Sequence, residues 1–109
     1  MIQRLALLGA TGSIGASTVE VVRHHPDRLS IATLGALGRN PEALLALARE
    51  FRPLLLAVVD PAVARDLRPA LPPGVGLASG PEALLAAATH PGVDKLVAAV
   101  VRAAGLPPA

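Results

Sequence analysis

Apolar residues fall along this chain in two alternating patterns, compact runs and helical repeats. The compact runs are bounded by glycine, proline or capping residues, which is typical of strands buried in a sheet. The repeats place apolar residues three or four positions apart, as one face of a helix requires. The runs predict strands at residues 2–8, 30–34, 54–59, 75–78 and 95–101. The repeats predict helices from residue 14 to about 24, from 41 to about 51, from 61 to about 67 and from 82 to about 90.

Several helix boundaries carry their own chemical markers. Asn40-Pro41 and Asp60-Pro61 each place a capping side chain before a proline in the first helical position. Pro26 and Pro53 follow two predicted helix ends, because the residue before a proline disfavours helical angles. These markers support the division of the chain into alternating elements.

Strands and helices alternate with short connections. This order predicts an α/β fold, a Rossmann-like doubly wound parallel sheet with helices on both faces, truncated in this chain. Residues 1–109 are then a single domain. Ligands of such sheets bind beyond the carboxyl ends of the strands. Three loops are predicted at that edge: residues 9–15, residues 38–40 and the segment after Val101.

The loop after the first predicted strand is rich in glycine. It reads Gly9-Ala10-Thr11-Gly12-Ser13-Ile14-Gly15. A glycine turn between a strand and a helix opens the dinucleotide-binding βαβ unit. We expect Gly9 to turn the chain, Gly12 to leave room for a pyrophosphate and Gly15 to let the helix pack closely. The N–H groups of the helix start would bind this anion, together with the hydroxyls of Thr11 and Ser13.

The alternative for this loop is a glycine-containing turn that binds nothing. Its spacing is G-x-x-G-x-x-G, whereas the commoner nucleotide-binding spacing is G-x-G-x-x-G. The glycines alone do not decide between the two interpretations. The strand before the loop and the helix after it favour nucleotide binding.

The second predicted strand is followed by Gly38-Arg39-Asn40. An NAD-binding unit usually places an acidic residue here, which accepts a hydrogen bond from the ribose 2′-hydroxyl. No acidic residue lies between Asp27 and Glu42. A guanidinium at Arg39 would bind two oxygens of a 2′-phosphate instead. The sequence therefore favours NADP(H) over NAD(H), with a solvated loop arginine as the alternative.

Composition narrows the possible partners. The net charge is only +2, the basic residues do not adjoin one another and aromatic residues make up 1% of the chain, so nucleic-acid binding is disfavoured. The absence of cysteine excludes disulfides and thiolate metal sites. The longest apolar runs, residues 54–59 and 96–101, are far too short to span a membrane. We expect a cytoplasmic protein without a nucleic-acid or membrane partner.

Three segments of the chain share the pattern of one known family. They are residues 8–18 with Val21-Val22-Arg23-His24, then Gly38-Arg39-Asn40, then Ala98-Ala99-Val100-Val101 with Ala103-Ala104-Gly105-Leu106. Together they resemble the 1-deoxy-D-xylulose 5-phosphate reductoisomerases over essentially the whole chain. Two positions depart from that family: Arg102 stands where it carries a glycine, and Leu37 stands where it usually has a small residue.

The resemblance implies an NADPH-dependent enzyme of isoprenoid precursor synthesis by the non-mevalonate route. Such enzymes convert 1-deoxy-D-xylulose 5-phosphate into 2-C-methyl-D-erythritol 4-phosphate, use a divalent metal (magnesium or manganese) and are typically homodimers. The residues implied to hold NADPH are Thr11, Gly12, Ser13 and Ile14 at the pyrophosphate and Gly38, Arg39 and Asn40 at the adenosine ribose with its 2′-phosphate.

The resemblance also implies that the catalytic and metal-binding part lies beyond Ala109, so that this fragment alone would be inactive. No catalytic residue or metal ligand is assigned within the chain. Its remaining aspartates and histidines are expected to be caps, solvated charges or helix-end residues: Asp60, Asp66, Asp94, His24, His25 and His90. Two other functions stay open, the cofactor domain of another NADP-dependent oxidoreductase and a non-enzymatic nucleotide-binding module.

Overall fold

The structure, a computed structural model, describes residues 2–98, in which five strands alternate with four α-helices. In chain order the elements are β1 (Gln3–Leu8), α1 (Ser13–His24), β2 (Leu29–Ala36), α2 (Pro41–Phe51), β3 (Leu55–Val58), α3 (Pro61–Leu67), β4 (Gly76–Ser79), α4 (Ala83–Ala88) and β5 (Lys95–Ala98). A short 3-10 turn, Arg68–Ala70, continues α3. The predicted alternation is confirmed, while residues 99–101 of the last predicted strand lie outside the described residues.

The described strands form one parallel sheet in the order β4-β3-β2-β1-β5. Strands β2, β3 and β4 lie successively on one side of β1, and β5 lies on the other side. The direction of winding therefore changes at the β1–β5 pair, where a parallel sheet opens a ligand crevice at its carboxyl edge. The predicted doubly wound parallel sheet is confirmed, and the glycine turn leaves the sheet at this crevice.

One face of the sheet packs against α1, α2 and α3 through large aliphatic side chains. The largest side chains buried completely in this layer are Leu7, Leu34, Leu44, Leu56 and Val58. Each contributes about 1.5–3 kcal/mol of burial free energy. Because the chain has a single aromatic residue, this aliphatic layer is the main core.

The opposite face carries smaller side chains, which let α4 approach the sheet closely. A Cβ atom on Gly35 would stand 2.8 Å from methyl groups of both Leu8 and Leu84, so only glycine fits there without a shift. Thr33 is fully buried, and its hydroxyl donates a hydrogen bond of 2.9 Å to the carbonyl oxygen of Ala87. The sheet thus caps one of the last carbonyl groups of α4.

Strand β2 extends beyond its predicted end at residue 34. Gly35 and Ala36 pair in register with Ala57 and Val58 of β3, so the strand continues through a glycine that lies beyond its predicted end. The other strands differ from prediction by a single residue at their described ends.

Helix α4 is shorter than predicted at both ends. Gly80 has a φ of +92°, and its carbonyl oxygen accepts a hydrogen bond from Ala83 N, so residues 80–83 form a turn before the helix. At the other end the Thr89 hydroxyl donates to the carbonyl of Leu85 and the helix stops at Ala88.

Asp94 holds β5 in register beside β1. Its backbone N–H donates to the carbonyl of Arg4 at 2.7 Å, and its carboxylate accepts from Arg4 N at 2.9 Å. The sequence predicted a cap or a solvated charge at Asp94, whereas this side chain closes the end of a strand pair.

Arg23 links the carboxyl-terminal ends of α1 and α2. Its guanidinium donates two hydrogen bonds, of 2.6 and 2.7 Å, to the Glu50 carboxylate and one of 2.7 Å to Glu20. It also lies 5.9 Å from the centre of the Phe51 ring. The hydrogen bonds from Arg23 lower the pKa of Glu50 below its ordinary value.

Candidate functional site: the glycine turn and the carboxyl edge of the sheet

The glycine turn begins where β1 ends and is fastened to β2. The N–H groups of Gly9 and Ala10 both donate to the Gly35 carbonyl, at 2.8 and 3.1 Å. Gly9 adopts a φ of +77°, a left-handed conformation that favours glycine. Gly12 N then donates to the Gly9 carbonyl at 3.0 Å, which closes the turn. The predicted turning role of Gly9 is confirmed.

Gly15 lets α1 start directly against this turn. A Cβ atom at Gly15 would lie 2.4 Å from the Gly9 carbonyl oxygen and 2.6 Å from that of Ala10. Both are backbone atoms, which no side-chain rotation can move away. The predicted packing role of Gly15 is therefore confirmed.

Gly12 differs from Gly15 because nothing within the described protein requires it to be small. Its hypothetical Cβ would meet only the Gly9 carbonyl oxygen, at an ordinary contact distance of 3.5 Å. Gly12 is also exposed and has an extended backbone that any residue adopts. The space above it is thus free for a group from outside, as close approach of a pyrophosphate requires.

The amino end of α1 has the features of an anion site. No side chain caps it, and its first turn holds no acidic residue. The first helical hydrogen bond runs from Ala16 N to the Gly12 carbonyl at 2.9 Å, so the N–H groups of Ser13, Ile14 and Gly15 precede the helical ladder. Ser13 and Ile14 are exposed and Thr11 is half-buried beside them. These donors and the helix dipole suit a phosphate group.

The second predicted loop rests on the turn between β3 and α3. Gly38 has a φ of +112°, and a Cβ there would lie 3.2 Å from both the Asp60 Cβ and the Val58 Cγ1 atoms. The Asp60 N–H donates to the carbonyl of Leu37 at 3.1 Å. Only glycine suits this position, since both the backbone angle and the close approach exclude a side chain.

Arg39 and Asn40 differ in how far their side chains are already engaged. Arg39 is exposed and forms no ion pair within residues 2–98. Asn40 caps α2, because its side-chain oxygen accepts a hydrogen bond of 3.2 Å from Ala43 N. The predicted cap is confirmed. Because the cap uses only the side-chain oxygen, the NH₂ group of Asn40 stays available as a donor to the adenosine ribose expected at this loop.

Two contacts that organise this edge were not predicted from the sequence. Gly35 lies inside β2, and its carbonyl fastens the glycine turn. Asp60 was predicted only as a cap, a role confirmed by the 3.0 Å hydrogen bond from Ala62 N to its carboxylate. Its contact with the Gly38 loop depends on β2 and β3 being neighbours. That strand order was the missing information.

A cleft of about 350 Å³ lies beside the turn, between α1 and α2. Its lining is Ala10, Thr11, Ala16, Val19, Glu20, Arg23, Ala43, Ala46 and Leu47. Thr11 is the one predicted site residue in this lining. The other predicted residues lie along the open carboxyl edge, so the structure brings two predicted loops to adjacent strand ends.

The third predicted loop, with Arg102, lies outside the described residues.

Two further functional features are lacking in the described part of the chain. Across residues 2–98 no three acidic or histidine side chains are grouped so as to hold a metal ion. None of the helices described there is long and apolar enough to cross a bilayer.

A parallel sheet with an open glycine turn at its switch point defines a Rossmann-type α/β domain. The sequence profile that describes 1-deoxy-D-xylulose 5-phosphate reductoisomerase matches residues 5–109. The chain therefore belongs to the 1-deoxy-D-xylulose 5-phosphate reductoisomerase family.

Curated relatives agree with this assignment. The 1-deoxy-D-xylulose 5-phosphate reductoisomerase of Trichlorobacter lovleyi is 48% identical over 107 residues, which is 97% of this chain and 27% of the relative. That of Ralstonia pickettii is 47% identical over 108 residues, which is 96% of this chain and 27% of the relative. The chain thus spans about a quarter of the length of the relatives it matches.

Solved structures of the family share the fold. A DOX-P reductoisomerase in complex with magnesium superposes with a TM-score of 0.82 at 41% identity, over 96% of this chain and 26% of that protein. A DOX-P reductoisomerase in complex with NADPH, fosmidomycin and magnesium gives a TM-score of 0.78 at 39% identity, over 90% of this chain and 24% of that protein. In these structures too, the chain spans about a quarter of the length of the protein it matches.

Proposed function

We propose that residues 1–109 are the NADPH-binding domain of a 1-deoxy-D-xylulose 5-phosphate reductoisomerase. The observation that carries this proposal is the open space at Gly12 in front of the uncapped amino end of α1. Membership of the family supports it, as does the NADPH present in a structural neighbour at 39% identity. The same membership speaks against the cofactor domain of an unrelated oxidoreductase and against a non-enzymatic module.

The proposed cofactor site extends over the ends of β1 and β2. The backbone N–H groups of Ser13 and Ile14 donate to the pyrophosphate, which lies against the open side of Gly12 and is assisted by the dipole of α1. The Arg39 guanidinium binds the 2′-phosphate of the adenosine ribose. Gly9, Gly15 and Gly38 shape the two loops. Thr11 contributes to the pyrophosphate site and Asn40 to the site of the adenosine ribose. Bound NADPH supplies a hydride, which this domain orients but does not receive.

The reaction of the full-length protein is proposed from the family. It rearranges 1-deoxy-D-xylulose 5-phosphate and reduces the product to 2-C-methyl-D-erythritol 4-phosphate, in the cytoplasm, as a homodimer. The substrate is a small sugar phosphate, and no nucleic acid or membrane takes part. The divalent metal implied by the family, magnesium or manganese, is proposed to be held by another part of the full-length protein. We expect the 109-residue chain alone to leave NADPH unoxidised when this substrate and magnesium are added.

Changing Arg39 to glutamate tests the proposed site. We expect the Arg39→Glu chain to lose about tenfold to a hundredfold in NADPH affinity, since a charged hydrogen-bonded pair becomes a repulsive one. NADH binding should change little. Cofactor fluorescence measures both affinities without interference, because the chain has no tryptophan or tyrosine.

Arg65→Glu is the matched control, since Arg65 is exposed on α3 and lies in neither predicted loop. We expect it to keep the preference for NADPH. Equal losses in the two variants would show a general charge effect and would contradict a specific 2′-phosphate contact at Arg39.

A further inference from the structure

The turn between β3 and α3 lies where the adenine of a bound dinucleotide is expected, an inference that rests on the proposed function. In NADPH the pyrophosphate leaves carbon 5′ of the adenosine ribose, the extra phosphate sits on carbon 2′, and the base sits on the adjoining carbon 1′. The glycine turn follows β1 and the Arg39 loop follows β2, and β3 is the next strand in the sheet. With the two phosphates held at β1 and β2, the base is directed to the end of β3.

Asp60 is the polar side chain that the fold places at this point. Its backbone N–H binds the Leu37 carbonyl, and its Cβ stands 3.2 Å from the position of a Cβ at Gly38. One carboxylate oxygen caps Ala62 N at 3.0 Å. The second oxygen has no hydrogen-bond partner within residues 2–98, and Asp60 is exposed.

An apolar surface accompanies this acceptor. Leu37 is 41% exposed directly beside Asp60, and Val63 of α3 is half-buried against the same loop. An aromatic base favours an apolar surface under its ring and a polar group at its edge.

We propose that the free oxygen of Asp60 accepts a hydrogen bond from the 6-amino group of adenine, with the base lying over Leu37. A carboxylate is an acceptor only, and the 6-amino group of adenine is a donor. Asp60 therefore selects adenine over a base that presents a carbonyl oxygen at the same place. The 6-amino group of adenine is neutral, so the negative charge of Asp60 does not oppose this contact. A phosphate group at the same place would be repelled by the Asp60 carboxylate.

The test compares NADPH with its hypoxanthine analogue, in which a carbonyl oxygen replaces the 6-amino group. We expect the unmodified chain to bind NADPH about tenfold more tightly than the analogue. Asp60→Asn should bring the ratio of the two dissociation constants to about one or below, because the asparagine NH₂ group donates to the carbonyl. The ratio cancels any gain that both nucleotides obtain from removing a negative charge near the 2′-phosphate.

Both asparagine and serine cap helices well, so Asp60→Asn and Asp60→Ser should keep α3 and the fold, as circular dichroism would report. Asp60→Ser should also lower the ratio towards one. Asp66→Asn is the matched control, because it makes an equal change of charge at an exposed position of α3. It should retain the ratio of dissociation constants of the unmodified chain.

The outcomes separate this inference from the proposed function. A folded chain that binds neither nucleotide would overturn both. Two other results would overturn the Asp60 contact alone and leave the proposed cofactor domain standing. In the first, the unmodified chain binds NADPH and its analogue equally well. In the second, both Asp60 variants are folded and keep the ratio of the unmodified chain.

Discussion

At the scale of single residues, three glycines of one turn carry three different constraints. Gly9 is fixed by its backbone angle and Gly15 by the carbonyl oxygens that face it. Gly12 meets neither constraint, so its small size is free to serve the close approach of the proposed pyrophosphate. The roles of Gly9 and Gly15 were predictable because the two glycines stand where a predicted strand passes into a predicted helix. Gly35 was missed because its packing partners come from β1 and α4.

Alanine at Gly12 and at Gly15 should separate binding from folding. We expect Gly15→Ala to lower the free energy of unfolding by about 1–3 kcal/mol, because its methyl group meets fixed backbone oxygens. Gly12→Ala should cost less than about 1 kcal/mol in stability. Its methyl group should nevertheless weaken NADPH binding by about tenfold or more. Urea unfolding and cofactor fluorescence measure the two effects, and equal stability losses would contradict the distinction.

At the scale of secondary-structure elements, the two faces of the sheet explain which predictions succeeded. Helices α1, α2 and α3 pack on large aliphatic side chains, and their predicted bounds are close to those observed. Helices α2 and α3 also begin at capping side chains. Helix α4 lacks a capping side chain and packs on small residues, and its bounds were predicted less well. A sequence pattern does not reveal which small residues of a strand share a face with a short helix.

The buried hydroxyl of Thr33 should matter for holding α4 on the sheet. Thr33→Val keeps the shape but leaves the Ala87 carbonyl without its partner, so we expect a loss of about 1–3 kcal/mol in the free energy of unfolding. Thr18→Val is the matched control, since that hydroxyl bonds back to its own helix at the Ile14 carbonyl. Its stability should change by less than about 0.5 kcal/mol. Similar losses in the two variants would contradict the link between α4 and β2.

The Arg23–Glu50 pair should add a small acid-sensitive contribution to the packing of α1 on α2. Because the pKa of Glu50 is lowered in the folded chain, the pair stabilises above the unfolded pKa of about 4.3, and this contribution is lost as pH falls through the folded pKa. The two side chains are about 40% exposed, so solvent screening should keep the effect small. Urea unfolding at several pH values should show that Glu50→Gln lowers stability near pH 7 and has no effect at acid pH. A loss that is the same at both would contradict this origin.

At the scale of the whole molecule, the described residues build the carboxyl edge of a parallel sheet, along which the ends of β3, β2 and β1 lie side by side. The proposed site assigns the adenine, the 2′-phosphate and the pyrophosphate to these three strand ends in that order. The sequence predicted the α/β class and two of these loops because their signals are local. The meeting of Asp60 with the Gly38 loop follows from strand order, which no local pattern contains.

The most direct test of the central claim is an amide NMR map of the ¹⁵N-labelled 109-residue chain during titration with NADPH. We expect the shifts to concentrate at Gly12, Ser13 and Ile14 and in the loop of residues 38–40, with the changes at Arg39 absent when NADH is used. Shifts confined to the cleft between α1 and α2, or no shifts in a well-folded chain, would contradict an NADPH site at this edge of the sheet.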